Sequence, residues 1–238
     1  MHKINFKELI LFENEDYIII NKPSGISTLD DRNEENYNIK VLAKNYWEDA
    51  QVCHRLDKET SGALAIAKNQ AAYRSLAIQF EKREVQKIYH AVVDGVYNFQ
   101  EKTVKLPILP LKKGIVCIDR EKGKEAETLF NTLKAYRQHT LVECAPYTGR
   151  MHQIRIHLSV IKAPISGDEQ YGGKPVFLSK IKRKFNLKKG SEEQPLMKRV
   201  ALHAHSIGFK LLNGEEKKVT APYPKDLTVL IKQLEKNI

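Results

Sequence analysis

The sequence has few cysteines and no long apolar run, and both shortages narrow the class of protein. Its three cysteines, Cys53, Cys117 and Cys144, are an odd number without C-x-x-C spacing, which argues against a disulfide framework and a structural zinc site. We therefore expect the reduced core thiols of a cytosolic protein. A stretch of about 18 apolar residues, the minimum for a membrane span, does not occur. The N-terminal segment also lacks the basic start and unbroken apolar run of a signal peptide, so we expect a cytoplasmic location.

Common catalytic and metal-binding motifs are missing as well. The glycines form neither G-x-x-x-x-G-K nor G-x-G-x-x-G, and G-x-S-x-G is absent, which excludes the common nucleotide-binding and serine-hydrolase classes. His152 and His157 lie five positions apart, without the i, i+4 spacing and accompanying Glu of a helical zinc site. His203 and His205 share a face of a predicted strand, but a metal site needs a third ligand. We expect no metal and no cofactor.

Acidic residues are scarce relative to basic ones. Lys and Arg together number 40 against 29 for Asp and Glu, which gives a formal net charge of +11. Such an excess favours a polyanionic partner, nucleic acid above all, because neutralising phosphates releases condensed counterions. A basic enzyme without a nucleic-acid partner is the alternative. The 42% of hydrophobic residues are enough for a sizeable core.

Helices and short strands interleave along the chain without strict βαβ alternation. Strands are predicted at 17–21, 63–67, 87–95, 127–136, 139–146 and 200–210, and helices at 37–49, 69–83, from residue 150 onward and at 226–237. This order is typical of an α+β fold with a largely antiparallel central sheet and flanking helices and loops. Because the chain shows neither a low-complexity linker nor a repeat, we expect a single domain over residues 1–238, with a basic inserted loop at about 174–197.

The segment CHRLDKETSG, residues 53–62, places a polar cluster before the apolar run ALAIA. If its first half leaves a strand, alternation puts His54 and Leu56 on one face and Arg55 and Asp57 on the other. Leu56 then packs inward while the arginine and the aspartate share a surface. An exposed loop whose charges are only solvated is the alternative.

Two further basic segments are candidates for anion binding. In TGRMHQIRIH, residues 148–157, a helix is predicted to open after Gly149, so that Arg150 and the free amides of the first turn form an anion site. Arg155 can bind a carboxylate of another segment in bidentate fashion. Residues 180–190 carry six basic and no acidic residues and form a candidate phosphate-binding surface. The alternatives are a basic helix and a solvated loop on a basic protein.

Five motifs occur in a fixed order along the chain. They are NKPSG (21–25), HRLDKETSG (54–62), KIYHAVVDG (87–95), TGRMHQIRIHL (148–158) and PISGDEQYG (164–172). Together they closely resemble the RluA-type RNA pseudouridine synthases, from about residue 9 to residue 210. The resemblance implies an antiparallel sheet with flanking helices and a cleft across it that holds the active site.

The resemblance also implies roles for individual residues. Asp57 matches the catalytic aspartate, Tyr89 the aromatic residue against the target uracil, and Arg155 the basic partner of the aspartate. Without the resemblance, Tyr89 would be assigned to the core of a strand. Arg55 matches a position that holds the flipped-out site open. We expect substrate contacts from Arg55, His54, Thr60, Arg150, His152 and Leu158.

The expected activity is the isomerisation of uridine to pseudouridine in a structured stem-loop of ribosomal or transfer RNA. NKPSG already begins by residue 21, which leaves no room for the small RNA-binding appendage that many relatives carry before the catalytic domain. We therefore expect the catalytic domain and its insert to select the RNA, and we expect a monomer. The alternatives are an RNA chaperone that kept the fold without catalysis, and a metal-dependent nuclease, for which a carboxylate cluster is missing.

Overall fold

The computed structural model describes residues 4–30, 37–187 and 190–238. The strands in these ranges are β1 (Ile10–Glu13), β2 (Tyr17–Lys22), β3 (Gln51–Val52), β4 (Ser61–Ala67), β5 (Gln86–Asp94), β6 (Lys102–Lys105), β7 (Ile108–Pro110), β8 (Val116–Ile118), β9 (Glu127–Ala135), β10 (His139–Pro146), β11 (Leu202–Lys210) and β12 (Glu216–Thr220). The α-helices are α1 (Ile39–Tyr46), α2 (Gln70–Glu81), α3 (Gln153–Val160), α4 (Leu178–Ile181) and α5 (Lys225–Lys236).

The residues group into two compact units, each built from two separate segments of the chain. The first unit comprises Met1–Ile88 and His203–Pro222, and the second comprises Tyr89–Leu202 and Tyr223–Ile238. The expected single domain over the whole chain stays a prediction.

The sheet of the first unit is centred on β4. This strand pairs antiparallel with β2 and β3 and parallel with β11, which in turn pairs antiparallel with β12. All seven residues of β4 are buried, as expected of a strand covered on both faces. Helix α2 begins after Asn69, whose side chain accepts the N–H of Ala72 at 2.8 Å and caps the helix. The helix buries Ala72 and Leu76 in the core of this unit.

In the second unit β10 lies between β5 and β9, both antiparallel to it, and β6 extends the sheet beyond β9. Strands β7 and β8 form a separate antiparallel pair. Helix α5 buries Leu227, Leu230, Ile231 and Leu234, the i, i+3, i+4, i+7 stripe of an amphipathic helix. Helix α3 contributes Ile154 and Leu158 to the same core.

The α+β class with a largely antiparallel sheet and flanking helices is confirmed, while the expected active-site cleft stays a prediction. Each predicted strand and helix is found, most of them with shifted ends, whereas the short elements β1, β3, β6, β7, β8, β12 and α4 are not among the predicted ones. The helix expected after Gly149 begins only at Gln153, because His152 takes a left-handed backbone with φ of 52°. Among the described residues, we find no helix that combines the length and apolarity needed to cross a membrane.

Candidate active site

Asp57 lies on the loop between β3 and β4 in the first unit. The strand predicted to continue through residues 53–57 ends at Val52. Arg55 is exposed and Leu56 is buried, as expected, whereas His54 and Asp57 are both partly buried. The carbonyl oxygen of Asp57 accepts the N–H of Thr60 at 3.0 Å, which closes a β-turn. Thr60 is only 3% exposed. Thr60 thus has a structural role in this turn, and its substrate contact stays a prediction.

Thr28 fixes the residue before Asp57. Its hydroxyl donates to the carbonyl oxygen of Leu56 at 2.8 Å and accepts the N–H of the same residue at 3.1 Å. Thr28 and Leu56 are both buried, so neither backbone group can be satisfied by water instead. One hydroxyl thus holds both backbone polar groups of Leu56, the residue before the aspartate.

Lys22, in the NKPSG motif, fixes the residue after Asp57. Its fully buried ammonium donates to the carbonyl oxygens of Pro23 and Ile26, both at 2.9 Å, and of Lys58 at 3.2 Å. The N–H of Gly25 also donates to the carbonyl of Lys58, at 2.9 Å. The first two motifs of the sequence therefore form one connected structure, in which NKPSG supports the loop that carries the aspartate.

His54 supports the same loop from its other end. Its Nε2 accepts the N–H of Ala65 at 3.0 Å, and its ring lies 5.0 Å from that of Phe80. Burial lowers the pKa of His54 to about 3, and the positive charge of Lys87 adds to this effect. The imidazole is neutral and anchors the loop to β4. Its substrate contact stays a prediction.

The end of the HRLDKETSG motif joins β4 to β11. Ser61 and His203, both fully buried, lie 2.9 Å apart from Oγ to Nδ1. Because Nε2 of His203 donates to the carbonyl of Ala221 at 3.1 Å, its Nδ1 accepts the serine hydroxyl. Gly62 has φ of +119°, and an added Cβ would lie 2.2 Å from the carbonyl oxygen of Ala204. Only glycine fits this contact.

Arg155 lies in the first turn of α3 in the second unit and binds a carboxylate of another segment, as predicted. Its Nε donates to Asp168 Oδ2 at 2.7 Å and its Nη2 to Asp168 Oδ1 at 2.8 Å. Nη2 also donates to Gln170 at 3.0 Å. Sequence reasoning missed Asp168: it stands in the PISGDEQYG motif, but nothing in the sequence indicated its partner. The pairing of Arg155 with Asp57 stays a prediction.

His152 belongs to the same cluster. Its Nδ1 lies 2.9 Å from the phenolic oxygen of Tyr171, which also accepts the N–H of Val116 at 3.1 Å. The ring of Tyr171 lies 4.9 Å from Arg155 Cζ, within the range of a cation–π contact. His152 and Arg155 are therefore brought together through one tyrosine.

Gln153 organises the turn before α3. Its Oε1 accepts from the hydroxyl of Thr148 at 2.7 Å and from the N–H of Arg150 at 3.0 Å, and its Nε2 donates to the carbonyl of Glu127 at 2.9 Å. The exposed Arg150 donates through Nε to the carbonyl of Glu125 at 2.9 Å. The predicted anion site on the first-turn amides at Arg150 is corrected, because Arg150 precedes the helix. Its side chain remains a candidate RNA contact.

The remaining predicted residues of the second unit lie in or against its core. Leu158 is fully buried and packs in the core, and its substrate contact stays a prediction. His157 is buried, with Nε2 donating to the carbonyl of Leu106 at 3.0 Å, and burial lowers its pKa. Tyr89 is partly buried in β5 and packs against the core. Within the part of the chain that the structure describes, no three His, Cys, Asp or Glu side chains are grouped to hold a metal ion.

Comparison with known proteins identifies the class of the protein as an RNA-modifying isomerase and then its family. Residues 16–160 match the RNA pseudouridylate synthase family model. The chain is 38% identical over 242 residues to the ribosomal large subunit pseudouridine synthase C of Buchnera aphidicola subsp. Baizongia pistaciae, covering 97% of this chain and 72% of that protein. It is 31% identical to the Vibrio parahaemolyticus protein of the same name, covering 97% of this chain and 70% of that one.

The structure of human RNA pseudouridylate synthase domain containing 4 shares this fold, with a TM-score of 0.73 at 24% identity over 97% of this chain and 94% of that one. The chain belongs to the RNA pseudouridine synthase family, and the resemblance to its RluA-type members is confirmed. It is an isomerase that acts on RNA.

Proposed function

We propose that the enzyme isomerises uridines of large-subunit ribosomal RNA, with Asp57 as the essential carboxylate. The observation that carries this proposal is the support of the Asp57 loop on both sides, by Thr28 at Leu56 and by Lys22 at Lys58. A loop that were only a solvated connection would not need a buried ammonium and a buried hydroxyl to fix it. The choice of ribosomal RNA is supported by the names of the relatives.

The proposed reaction changes the uracil atom through which the base is bonded to the ribose. The bond from ribose C1′ to uracil N1 breaks, the base turns, and a bond from C1′ to C5 forms. The hydrogen on C5 leaves as a proton and N1 gains one, so the reaction has no net redox change and adds no group. This chemistry needs an ionised carboxylate near the sugar and the ring, acting as a nucleophile or as a general base. Attack on the ring, attack on the sugar and removal of a ribose proton are all compatible with Asp57.

Tyr89 and Arg155 complete the proposed catalytic set. The uracil must leave its stack to be reached, which costs a few kcal/mol, and stacking on an aromatic ring restores about 1–3 kcal/mol per base. Tyr89 is proposed to provide that ring, and the exposed Arg55 to hold the opened site. Arg155 supplies the positive charge that keeps a carboxylate ionised in a water-poor site. Arg150 and His152 are proposed to contact the RNA backbone.

A basic segment is proposed to bind further phosphates. Lys180, Lys182, Arg183 and Lys184 are all exposed, and they lie at or just after α4, whose Ile181 is buried. Lys188 and Lys189, also part of the predicted basic loop, lie outside the described residues. Four cations anchored by a buried isoleucine suit contact with a structured stem-loop. We propose a monomer in the cytoplasm that selects its RNA through this segment and the catalytic residues.

The RNA class is tested with transcripts labelled with tritium at uracil C5, since bond formation at C5 must release the label. The enzyme is mixed with labelled large-subunit ribosomal RNA and, separately, with labelled transfer RNA. Stoichiometric release from defined positions of the ribosomal transcript alone is the expected result. Release from transfer RNA, alone or together with ribosomal RNA, would overturn the choice of RNA, and release from neither transcript would contradict the proposed activity.

A further inference from the structure

Asp168 holds the guanidinium of Arg155 along one edge. The pair is bidentate, at 2.7 and 2.8 Å, and the two residues are 1% and 8% exposed, respectively. Asp168 takes the Nε hydrogen and one Nη2 hydrogen, and Gln170 accepts the other at 3.0 Å. These three hydrogen bonds involve Nε and Nη2 of Arg155 and not Nη1. A planar guanidinium held through Nε and Nη2 has its remaining end aimed in one direction.

The carboxylate of Asp168 is itself held by a tight loop. The N–H of Asp168 donates to the carbonyl of Ile165 at 3.0 Å, and its carbonyl accepts the N–H groups of Tyr171 at 3.1 Å and Gly173 at 2.8 Å. A Cβ added to Gly173 would lie 1.8 Å from the carbonyl oxygen of Ile165, so the loop closes without room for a side chain there. The backbone that carries Asp168 is therefore fixed before Arg155 binds to it.

Tyr171 limits the arginine in the remaining direction. Its ring lies 4.9 Å from Arg155 Cζ, and its phenolic oxygen is fixed by the N–H of Val116. The edge of the guanidinium is thus set by Asp168 and its face by Tyr171. Both contacts come from the PISGDEQYG motif, whose role the sequence left unassigned.

We propose that Asp168 is a positioning residue: it holds the guanidinium of Arg155 in the one orientation in which this arginine takes part in the reaction. This inference rests on the proposed function, in which Arg155 is the basic partner of Asp57. A long arginine side chain that had to order itself in each catalytic cycle would lose conformational freedom each time. Asp168 keeps the side chain of Arg155 ordered before the substrate binds, so this entropy is not lost in each cycle. A small misplacement of such a group costs about a hundredfold in rate.

The kinetic test uses Asp168→Asn, which keeps the volume but replaces one acceptor with a donor. The single-turnover rate of tritium release from labelled large-subunit ribosomal RNA should fall about 10- to 100-fold, while the dissociation constant for this RNA changes by less than about twofold. In an Arg155→Lys background the same substitution should change the rate by less than about twofold, because the fork that Asp168 orients is already gone. Equal slowing in both backgrounds would show that Asp168 does not act through Arg155.

Asp226→Asn is the matched control. Asp226 forms a similar bidentate pair with Arg199, at 2.8 and 3.1 Å, in the same unit, and Arg199 is likewise buried. This variant leaves a buried arginine without its carboxylate but touches no proposed catalytic residue, so its rate should stay within about twofold of wild type. If Asp168→Asn slows release no more than Asp226→Asn, the positioning role is refuted.

A second readout does not depend on activity. The Arg155 Nε–H resonance in a ¹⁵N NMR spectrum, identified by its loss in Arg155→Lys, should exchange with water slowly in wild type and Asp226→Asn. It should exchange about tenfold faster or more in Asp168→Asn, since a buried bidentate bond protects the hydrogen. An unchanged exchange rate in Asp168→Asn would show that Asp168 does not hold the guanidinium of Arg155. If exchange is slow in wild type but Arg155→Lys releases tritium at the wild-type rate, the role of Arg155 in the proposed function is refuted instead.

Discussion

The ammonium of Lys22 donates to the backbone carbonyl of Lys58, the residue that follows Asp57. The same ammonium bonds to the carbonyls of Pro23 and Ile26 and is fully buried. Burying a cation is costly unless hydrogen bonds compensate for the lost water, and here backbone oxygens supply them. Its position ties the conformation of the NKPSG segment to that of the Asp57 loop.

Replacing Lys22 with methionine should therefore be costly. Lys22→Met keeps most of the volume but removes the donor that three backbone carbonyls share, and we expect the free energy of unfolding in urea to fall by about 2–4 kcal/mol. The control is Lys40→Met: Lys40 forms an exposed ion pair with Asp30 at 2.8 Å, and its loss should cost no more than about 1 kcal/mol. Equal losses in the two variants would contradict the structural role of Lys22.

A methyl group at Gly62 should disrupt the pairing of β4 with β11. In Gly62→Ala the new Cβ would meet the carbonyl oxygen of Ala204 at 2.2 Å, at a φ of +119°, so we expect a loss of about 3 kcal/mol or more. Gly214→Ala is the control, since Gly214 has φ of +85° with no atom within 4 Å of an added Cβ. Backbone strain alone should cost it about 1–2 kcal/mol. Thermal or urea unfolding measures both, and equal losses would show that the Ala204 contact adds nothing.

Much of the first unit could be predicted because its patterns are local. The apolar run of β4, the Asn69 cap of α2 and the division between exposed Arg55 and buried Leu56 each follow from residues close in sequence. The contacts of Lys22 and Thr28 could not be predicted in this way. They join segments about 30 residues apart through backbone carbonyls, and no side-chain pattern identifies the carbonyl that a lysine or threonine will bind.

Histidines show the limit of residue type as a guide to function. His54 stands in the catalytic motif, and its ring accepts a backbone N–H and is neutral, a structural role that the residue type does not indicate. A histidine also explains why α3 begins at Gln153 and not directly after Gly149. His152 takes a left-handed backbone, which is rare outside glycine and which the Gly149-Arg150 sequence does not indicate.

The neutral His54 predicts a dependence of stability on pH. Because burial lowers its pKa to about 3 from 6.5, the unfolded chain binds a proton between these values while the folded chain does not. Its contribution to stability is therefore complete above pH 6.5 and is lost as the pH falls toward 3, by at most about 1.4 kcal/mol per pH unit.

His54→Gln keeps an acceptor for Ala65 but cannot be protonated. Between pH 7.5 and pH 5, its free energy of unfolding should fall less steeply than that of wild type, by up to about one proton. The pKa values of His139 and His157 are also lowered by burial, and they contribute equally to both proteins. Parallel profiles for the two proteins would contradict a neutral, buried His54.

The basic segment after α4 predicts a change in the salt dependence of RNA binding. Replacing Lys180, Lys182 and Lys184 with glutamine should weaken binding and flatten the slope of log K against log salt by about 2 to 3, since each lost phosphate contact contributes about 0.7–0.9. The same number of charges is removed from α5 in the control, by replacing its exposed residues Lys225, Lys232 and Lys236. An unchanged slope in the first variant, or equal flattening in both, would exclude a specific RNA contact by this segment.

The most direct test of the central claim compares two carboxylates on one loop. Asp57→Asn and Glu59→Gln each replace a partly buried acid by its amide, two residues apart in the same turn. Single-turnover tritium release from RNA labelled at uracil C5 should fall below detection in Asp57→Asn and stay within about threefold of wild type in Glu59→Gln, because only the first removes the reactive carboxylate. Release by Asp57→Asn at the wild-type rate would show that the reaction does not depend on Asp57.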